Sequence, residues 1–351
     1  MLLYIHIPFC DSKCHYCAFN SYVDKFEQKQ AYMSALLKQL ELELRRFSVQ
    51  EGSIETLFIG GGTPSTVEPN LYKPLFKMLN PYLSNCTELT SEANPNSATK
   101  EWLQGMYELG INRISFGVQS FNDEKLRLLG RAHKAQDAIN AIKSAKEIGF
   151  KNLSLDIIYA TAGDSKELLE NDLKIAFSLP INHLSAYALT IEENTPFENK
   201  PKLSEEKLEL TKWFFEKIEA NNFGQYEISN FGSYQSKHNV GYWEQKDYIG
   251  LGSGAVGFLK DKRFYPSTDI EKYIDNPTKM QIENITKEEL LSEHIFLGLR
   301  SEIGVKFSRL SKEQQKRADI LVKEKRVLLK NSNLYNLDYL LSDEIALFIE
   351  N

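Results

Sequence analysis

The chain is poor in cysteine, with four in 351 residues. That scarcity argues against a small secreted scaffold stapled by disulfides. No apolar run reaches the ~20 residues that a bilayer span needs. A charged-then-apolar leader pattern is also missing, because Pro8 and Cys10 interrupt the first apolar stretch. There is no basic excess: the net charge of −6 weighs against broad nucleic-acid binding. Internal repeats and low-complexity linkers are absent. Apolar and charged fractions of 42% and 26% are ordinary for a globular protein, and the length allows one large domain plus a small one. The expectation is a soluble protein of the reducing cytoplasm.

What cysteine there is lies together. Cys10, Cys14 and Cys17 fall in one loop with C-x3-C-x2-C spacing, and Cys86 is isolated. Three thiolates this close suit a metal centre. Iron–sulfur clusters usually take four cysteines, so three would leave one iron of a [4Fe–4S] cube open to a small molecule. A structural zinc site is the alternative. It needs a fourth ligand, for which His6 and His15 are at hand, and usually a second ligand pair downstream. A disulfide would leave one thiol over.

The cysteine loop follows an apolar run, Leu2 to Ile7, that reads as a first strand. Helical periodicity then covers 26–47, where Met33, Leu36, Leu37, Leu40 and Leu44 recur at three- and four-residue steps. Strands are expected at 54–59, 88–93, 113–118, 153–159 and 183–189. Helices are expected at 71–79, 99–109, 135–148 and 166–177, with Ser204 capping a helix through Ile218. Six strands alternating with six helices imply a parallel sheet with right-handed crossovers. A complete eight-unit barrel needs about 250 residues, and the alternation here stops near residue 224. The fold class is therefore α/β, a partial (βα)6 barrel open on one side, which would admit a large substrate.

The polar groups that could do chemistry share a location. The cysteines follow strand one, Gly60-Gly61-Gly62-Thr63 follows strand two, Glu92 ends strand three and Gln119 ends strand four. Asp156 lies in strand five and Thr190 ends strand six. A glycine run alone is commonly a turn, and a lone Glu is commonly a cap. Their common position at C-terminal strand ends, where barrels build active sites, gives them weight together.

These residues carry a resemblance. C-x3-C-x2-C after a first strand, with Gly-Gly-Gly-Thr-Pro after the second, resembles the radical S-adenosylmethionine (SAM) superfamily. More narrowly, several segments are similar to the branch related to anaerobic coproporphyrinogen III oxidase, which includes the HemW-type haem chaperones. They are Tyr4 to Cys10, Glu92-Ala93-Asn94-Pro95, Arg113 to Ser120, Gly130-Arg131-Ala132-His133 and His183 to Tyr187. The resemblance implies a radical SAM barrel with Cys10, Cys14 and Cys17 as ligands of a [4Fe–4S] cluster. SAM would chelate the open iron, and electron transfer would cleave it to a 5′-deoxyadenosyl radical. Tyr4, Tyr16, Gly61 and Glu92 would line the first SAM site. Gly62, Thr63, Gln119, Arg131, Asp156 and Thr190 match positions around a second SAM in the oxidase.

The departures are informative. The oxidase has a fourth cysteine two residues after the third, where this chain has Phe19, and a long extension before its first strand, where this chain has Met1 to Leu3. Both favour the chaperone. Past the Asp, the family's Gly-Leu-Pro is replaced by Ala160-Thr161-Ala162.

Beyond the barrel, 226–231 reads as an edge strand. A lone His in a polar loop is usually structural. However, His238-Asn239-Val240-Gly241-Tyr242-Trp243 is similar to the family's haem-associated motif, which implies His238, Tyr242 and Trp243 as haem contacts. Gly250-Leu251-Gly252-Ser253-Gly254-Ala255 is placed by the resemblance beside the first SAM. From 285 the character changes to a small, mainly helical C-terminal domain, with a winged-helix-like pattern. Its 306–330 stretch holds nine Lys or Arg against three acids. That is usually a solvated face, and it also suits an anionic membrane surface or a protein partner.

The domain organisation read from the sequence is thus a barrel at 1–224, a family-specific extension at 225–284 and the C-terminal domain at 285–351. The function implied is a haem chaperone that binds a [4Fe–4S] cluster, SAM and haem, as monomer or homodimer, and passes haem to an unidentified acceptor protein. The alternative is the oxygen-independent coproporphyrinogen III oxidase, an enzyme of porphyrin synthesis.

Overall fold

The computed structural model describes residues 1–351, apart from the side chain of Cys86. Its centre is a run of parallel strands: β1 (Leu2–Ile7), β2 (Ile54–Gly61), β3 (Leu83–Ala93), β4 (Arg113–Gln119), β5 (Asn152–Tyr159) and β6 (His183–Ala188). The crossovers are α1 (Lys29–Arg46), α2 (Pro69–Leu79), α3 (Lys100–Glu108), the pair α4 (Asp123–Leu128) and α5 (Ala135–Ile148), and α6 (Lys166–Ser178). The expected partial barrel is thus present. Helix ends follow local chemistry. Thr99 and Ser165 accept from the backbone N–H three residues on, and Gly149 closes α5 at φ 120°.

Strand alternation sorts the side chains. Leu3, Ile5 and Ile7 of β1 are buried in the main apolar core shared with the helices. Tyr4 and His6 alternate with them and face the barrel interior, in register with Phe58 and Gly60 of β2.

The sequence reading missed how the sheet is closed off. After α7 (Leu208–Glu219), β7 (Asn230–Gly232) pairs antiparallel with β6. Then α8 (Lys237–Trp243) returns the chain to the other edge, where β8 (Tyr248–Leu251) adds in parallel to β1. Beyond it lie β9 (Gly257–Leu259), β10 (Lys262–Pro266), α9 (Ile270–Asp275) and β11 (Met280–Asn284), giving one eleven-stranded sheet. Residues 225–284 therefore contribute strands to both edges.

Two local expectations are corrected. Ser204 does not cap α7; its hydroxyl donates to the Leu189 carbonyl, and the helix begins at Leu208. The edge strand starts at Asn230 rather than 226, because Tyr226 and Ile228 bond elsewhere, to Asn230 and Arg300.

The C-terminal unit has its own apolar core of residues between Ile295 and Ile349. It comprises α10 (Lys287–Leu299), β12 (Val305–Lys306), α11 (Lys312–Lys323), β13 (Val327–Lys330), β14 (Asn333–Asn336) and α12 (Ser342–Glu350). Its three strands form a separate sheet beside three helices. Among the described residues, no helix is long and apolar enough to cross a membrane.

Candidate functional site

The cysteine loop is built by its own backbone and by distant partners. Cys10 N–H donates to Tyr22 O (3.0 Å), Tyr22 N–H to Pro8 O (2.7 Å) and His15 N–H to Leu129 O (3.0 Å). Asn20 donates to the Ser253 hydroxyl (3.0 Å), so the Gly250–Ala255 segment pins the far side of the loop. The glycines after β2 are sterically required. A Cβ on Gly62 would lie 2.9 Å from the carbonyl oxygens of Ile7 and Phe9 and 3.1 Å from Cys10 Sγ. Gly61, at φ 111°, would drive a Cβ to 2.4 Å from the His6 ring.

All three thiols are free, and burial pushes those of Cys10 and Cys17 upward in pKa. The zinc alternative finds no assembled ligand set among the described residues. His6 has both ring nitrogens engaged, with Tyr4 OH at 3.1 Å and Asn20 O at 2.8 Å. His15 Nδ1 bonds to Leu128 O at 2.9 Å, which leaves its Nε2 available. Among the described residues, no three His, Cys, Asp or Glu side chains converge on a single-ion position. A cube makes no such demand, since each thiolate ligates its own iron.

A hydrogen-bonded arc joins two of the cysteines. Arg131 Nη1 donates to Cys14 Sγ (3.2 Å), and its Nη2 donates to Asn94 Oδ1 (2.7 Å) and Gly117 O (2.5 Å). Asn94 Nδ2 donates to Thr63 Oγ1 (3.0 Å), which lies 3.3 Å from Cys10 Sγ. Gln119 holds φ 70° at the end of β4, and its Nε2 reaches this group beside Gly117. Two buried atoms here lack partners among the described residues, Arg131 Nε and Gln119 Oε1. Tyr16 is packed beside Arg131, and burial raises its pKa while the guanidinium partly offsets that.

Next to the loop opens a cavity of about 880 Å³. Tyr4, Phe19, Glu92, His238 and Tyr242 line it together, as do Gly254 and Ala255. Glu92 accepts from Gly61 N–H (3.1 Å). Burial, and then the charge of Asp156, push its pKa up to about 8. Asp156 lies 3.5 Å from the Ser115 hydroxyl, with a pKa pushed up to about 6 by burial.

His238 is held by a buried carboxylate. Glu88 accepts from the backbone N–H groups of Lys237 (3.0 Å) and His238 (3.1 Å) and from Tyr234 OH (2.7 Å). It therefore caps α8 at its positive end. The imidazole stacks on Phe58, 5.1 Å between centroids. Its Nδ1 lies 2.7 Å from Thr56 Oγ1 and its Nε2 3.1 Å from Tyr242 OH. Burial, then the charge of Arg113, lower its pKa to about 3. The ring is therefore neutral at physiological pH, the form that ligates metals.

Two expected residues stand apart. Thr190 is exposed and reaches only Ala188 O, at 3.5 Å. Trp243 does not line the cavity, and its buried indole N–H has no partner among the described residues. Sequence reasoning also missed Phe58, Tyr248, Phe258 and Arg263 on the cavity wall. Alternation along β2 was a signal for Phe58, two residues before Gly60. Nothing local marked the others, which arrive on the unanticipated strands β8, β9 and β10.

Comparisons with known proteins bear on the family and the fold. The model of the Radical SAM superfamily matches residues 4–176. The heme chaperone HemW of Bacillus subtilis (strain 168) is 36% identical over 333 residues, covering 90% of this chain and 87% of that protein. HemW of Escherichia coli (strain K12) is 39% identical over 263 residues, 73% of this chain and 69% of that protein. Among solved structures, coproporphyrinogen III oxidase (HemN) from Escherichia coli, a radical SAM enzyme, superposes with a TM-score of 0.84 at 20% identity. It covers 100% of this chain and 90% of that one, a shared fold. The chain belongs to the HemW family within the radical SAM superfamily.

Proposed function

We propose that this protein is a haem chaperone: it binds a [4Fe–4S] cluster, SAM and one haem, and hands the haem to an acceptor protein. The observation that carries the reading is a juxtaposition. The buried, neutral imidazole of His238 and the rim of the three-cysteine loop face one aromatic-lined cavity of about 880 Å³, within the ~300–1,000 Å³ typical of small-molecule sites. The HemW relatives named as heme chaperones support the cargo.

In this reading Cys10, Cys14 and Cys17 hold the cluster, which supplies one-electron chemistry when bound. Tyr4, Tyr16, Gly61 and Glu92 shape the first SAM site, with Glu92 offering a carboxyl to an amino or ribose group. Gly62, Thr63, Gln119, Arg131 and Asp156 belong to the neighbouring polar pocket. There the unpartnered Arg131 Nε and Gln119 Oε1 suit a second polar ligand. His238 supplies the haem-iron ligand, Tyr242 and Phe58 pack on the macrocycle, and Phe19 lies at the rim.

The test is anaerobic reconstitution with iron and sulfide, followed by SAM with either haem or coproporphyrinogen III. Expected is a stable haem complex, lost in His238→Ala with the melting temperature checked, and no decarboxylation. Formation of protoporphyrinogen would overturn the reading in favour of the oxidase. A Cys14→Ser variant that kept its full cluster absorbance would remove its basis.

A further inference from the structure

Two cations line the cavity, Lys246 and Arg263, and they are placed differently. Lys246 is tied to Glu55 (2.9 Å) and Glu244 (3.0 Å), two half-exposed carboxylates near its own end of the cavity. Arg263, on β10, has a single carboxylate partner among the described residues, Glu293, at 2.5 Å. Glu293 comes from α10 of the C-terminal domain and also lines the cavity. The bond to Glu293 uses Nη2 of the guanidinium, and the Tyr248 hydroxyl lies within hydrogen-bonding reach of the same side chain. The Arg263 and Glu293 side chains are 26% and 29% exposed, so solvent and ligand both have access to the pair.

The surroundings define what Arg263 faces. Its guanidinium carbon lies 5.9 Å from the Phe258 ring centroid, and Phe258 pairs with Tyr248 at 5.9 Å and 31°. Tyr248 in turn meets Tyr242 edge-on at 4.7 Å. A row of rings thus runs from His238 through Tyr242, Tyr248 and Phe258 to a guanidinium. That is the complement of a flat apolar ligand with metal at its middle and a carboxylate at its edge. Arginine's fork is the side chain suited to bind a carboxylate through two parallel N–H bonds. Glu293, an acid lying where such a ligand's edge would end, presents the same functional group.

We propose that Arg263 is the carboxylate-binding residue of the cavity, and that Glu293 occupies it until a carboxylate of the incoming macrocycle replaces it. The exchange conserves charge at Arg263: one carboxylate leaves and another arrives, and no proton moves. It also ties ligand entry to the C-terminal domain, because the displaced Glu293 is one of that domain's links to the sheet.

The inference rests on the haem reading of the cavity, and one titration series separates the two. Ferric haem and its dimethyl ester are titrated into the intact protein and into Arg263→Gln, Arg263→Lys and Glu293→Gln, following the Soret band, with melting curves alongside. Arg263→Gln is expected to weaken haem binding about tenfold or more and to leave the diester unchanged. Arg263→Lys should recover part of the loss, since it keeps charge without the fork. Glu293→Gln should tighten haem severalfold, because the internal competitor is gone, with no effect on the diester. If the intact protein binds haem and its diester equally well, the inference fails while the haem reading stands. Equal losses for both ligands in both arginine variants would make Arg263 a purely structural residue, which also overturns it. If the intact protein takes up neither ligand, the haem reading fails and the inference falls with it.

Discussion

The phenol of Tyr242 lies 3.1 Å from Nε2 of His238, one helical turn away on α8. With Nδ1 engaged by Thr56 at 2.7 Å, both imidazole nitrogens are occupied, and the side chain is buried. An Nδ1–H donated to Thr56 would leave Nε2 as the acceptor and the metal-binding atom, with Tyr242 as its cap. Haem ligation then requires the phenol to give way. Tyr242→Phe is expected to speed haem association and to tighten binding severalfold, read from stopped-flow Soret changes. Thr56→Val should weaken binding, because it releases the ring from its orientation. Slower uptake in Tyr242→Phe would show that the hydroxyl assists ligation instead of blocking it.

Ala160 follows β5 at φ 60°, in the left-handed region that favours glycine. The resemblance puts a glycine there, so the departure of this chain is an alanine carrying backbone strain of about 1 kcal/mol. Its methyl is buried. Ala160→Gly relieves the strain and forfeits about 0.8 kcal/mol of buried methyl, so it should be near neutral in urea unfolding. The buried helical Ala141 has no strain to relieve, so Ala141→Gly should cost about 1–2 kcal/mol. Equal costs at the two positions would refute strain at Ala160. The neighbouring turn is held independently by Asp164, which accepts from Thr161 N–H (3.0 Å) and from the buried Lys125 ammonium (2.6 Å).

The barrel was legible because its signals are local. Apolar alternation marks β1 to β6, caps such as Thr99 and Gly149 mark helix ends, and the loop after each strand carries the polar groups. The cavity's far wall was not legible, because no local pattern says that β8 will pair with β1 across 240 residues of chain, or that α10 will bring Glu293 to Arg263. Thr190 lies away from the cavity for a related reason. Its position after a strand suggested the site, but the chain turns outward at Leu189, which is held by Tyr159 O and Ser204. His238 was singled out through the motif alone; its Glu88 support lies 150 residues away and left no trace nearby.

Arg131 touches Cys14 Sγ at 3.2 Å with a charged N–H. A cation and a hydrogen bond at a ligating sulfur favour the reduced, more negative cluster. Arg131→Gln is therefore expected to move the cluster midpoint to more negative potential, while Arg131→Lys moves it less. The measurement is a potentiometric titration of the reconstituted protein followed by electron paramagnetic resonance. An unchanged midpoint would mean that the guanidinium serves only the Asn94–Thr63 arc.

Glu92 makes stability depend on pH, with a definite sign. Its carboxyl titrates near 8 in the folded protein, raised by burial and then by Asp156, against 4.5 in a free chain. Between those values the native state keeps a proton that the unfolded state has lost, so raising the pH favours unfolding. The stabilisation is complete below pH 4.5 and is lost as pH rises through about 8. Because water reaches the cavity, the loss is on the order of 2 kcal/mol. Glu92→Gln has no proton to lose, so its stability relative to the native protein should improve by that amount between pH 4.5 and pH 8.5. Urea unfolding at several pH values reads this directly, and parallel profiles would refute it. The same titration reaches the ligand: a SAM amino group seated against Glu92 would favour the carboxylate. Binding near pH 7 should therefore release a proton, visible in calorimetry as a dependence of the apparent heat on the buffer's ionisation enthalpy, and Glu92→Gln should abolish that dependence.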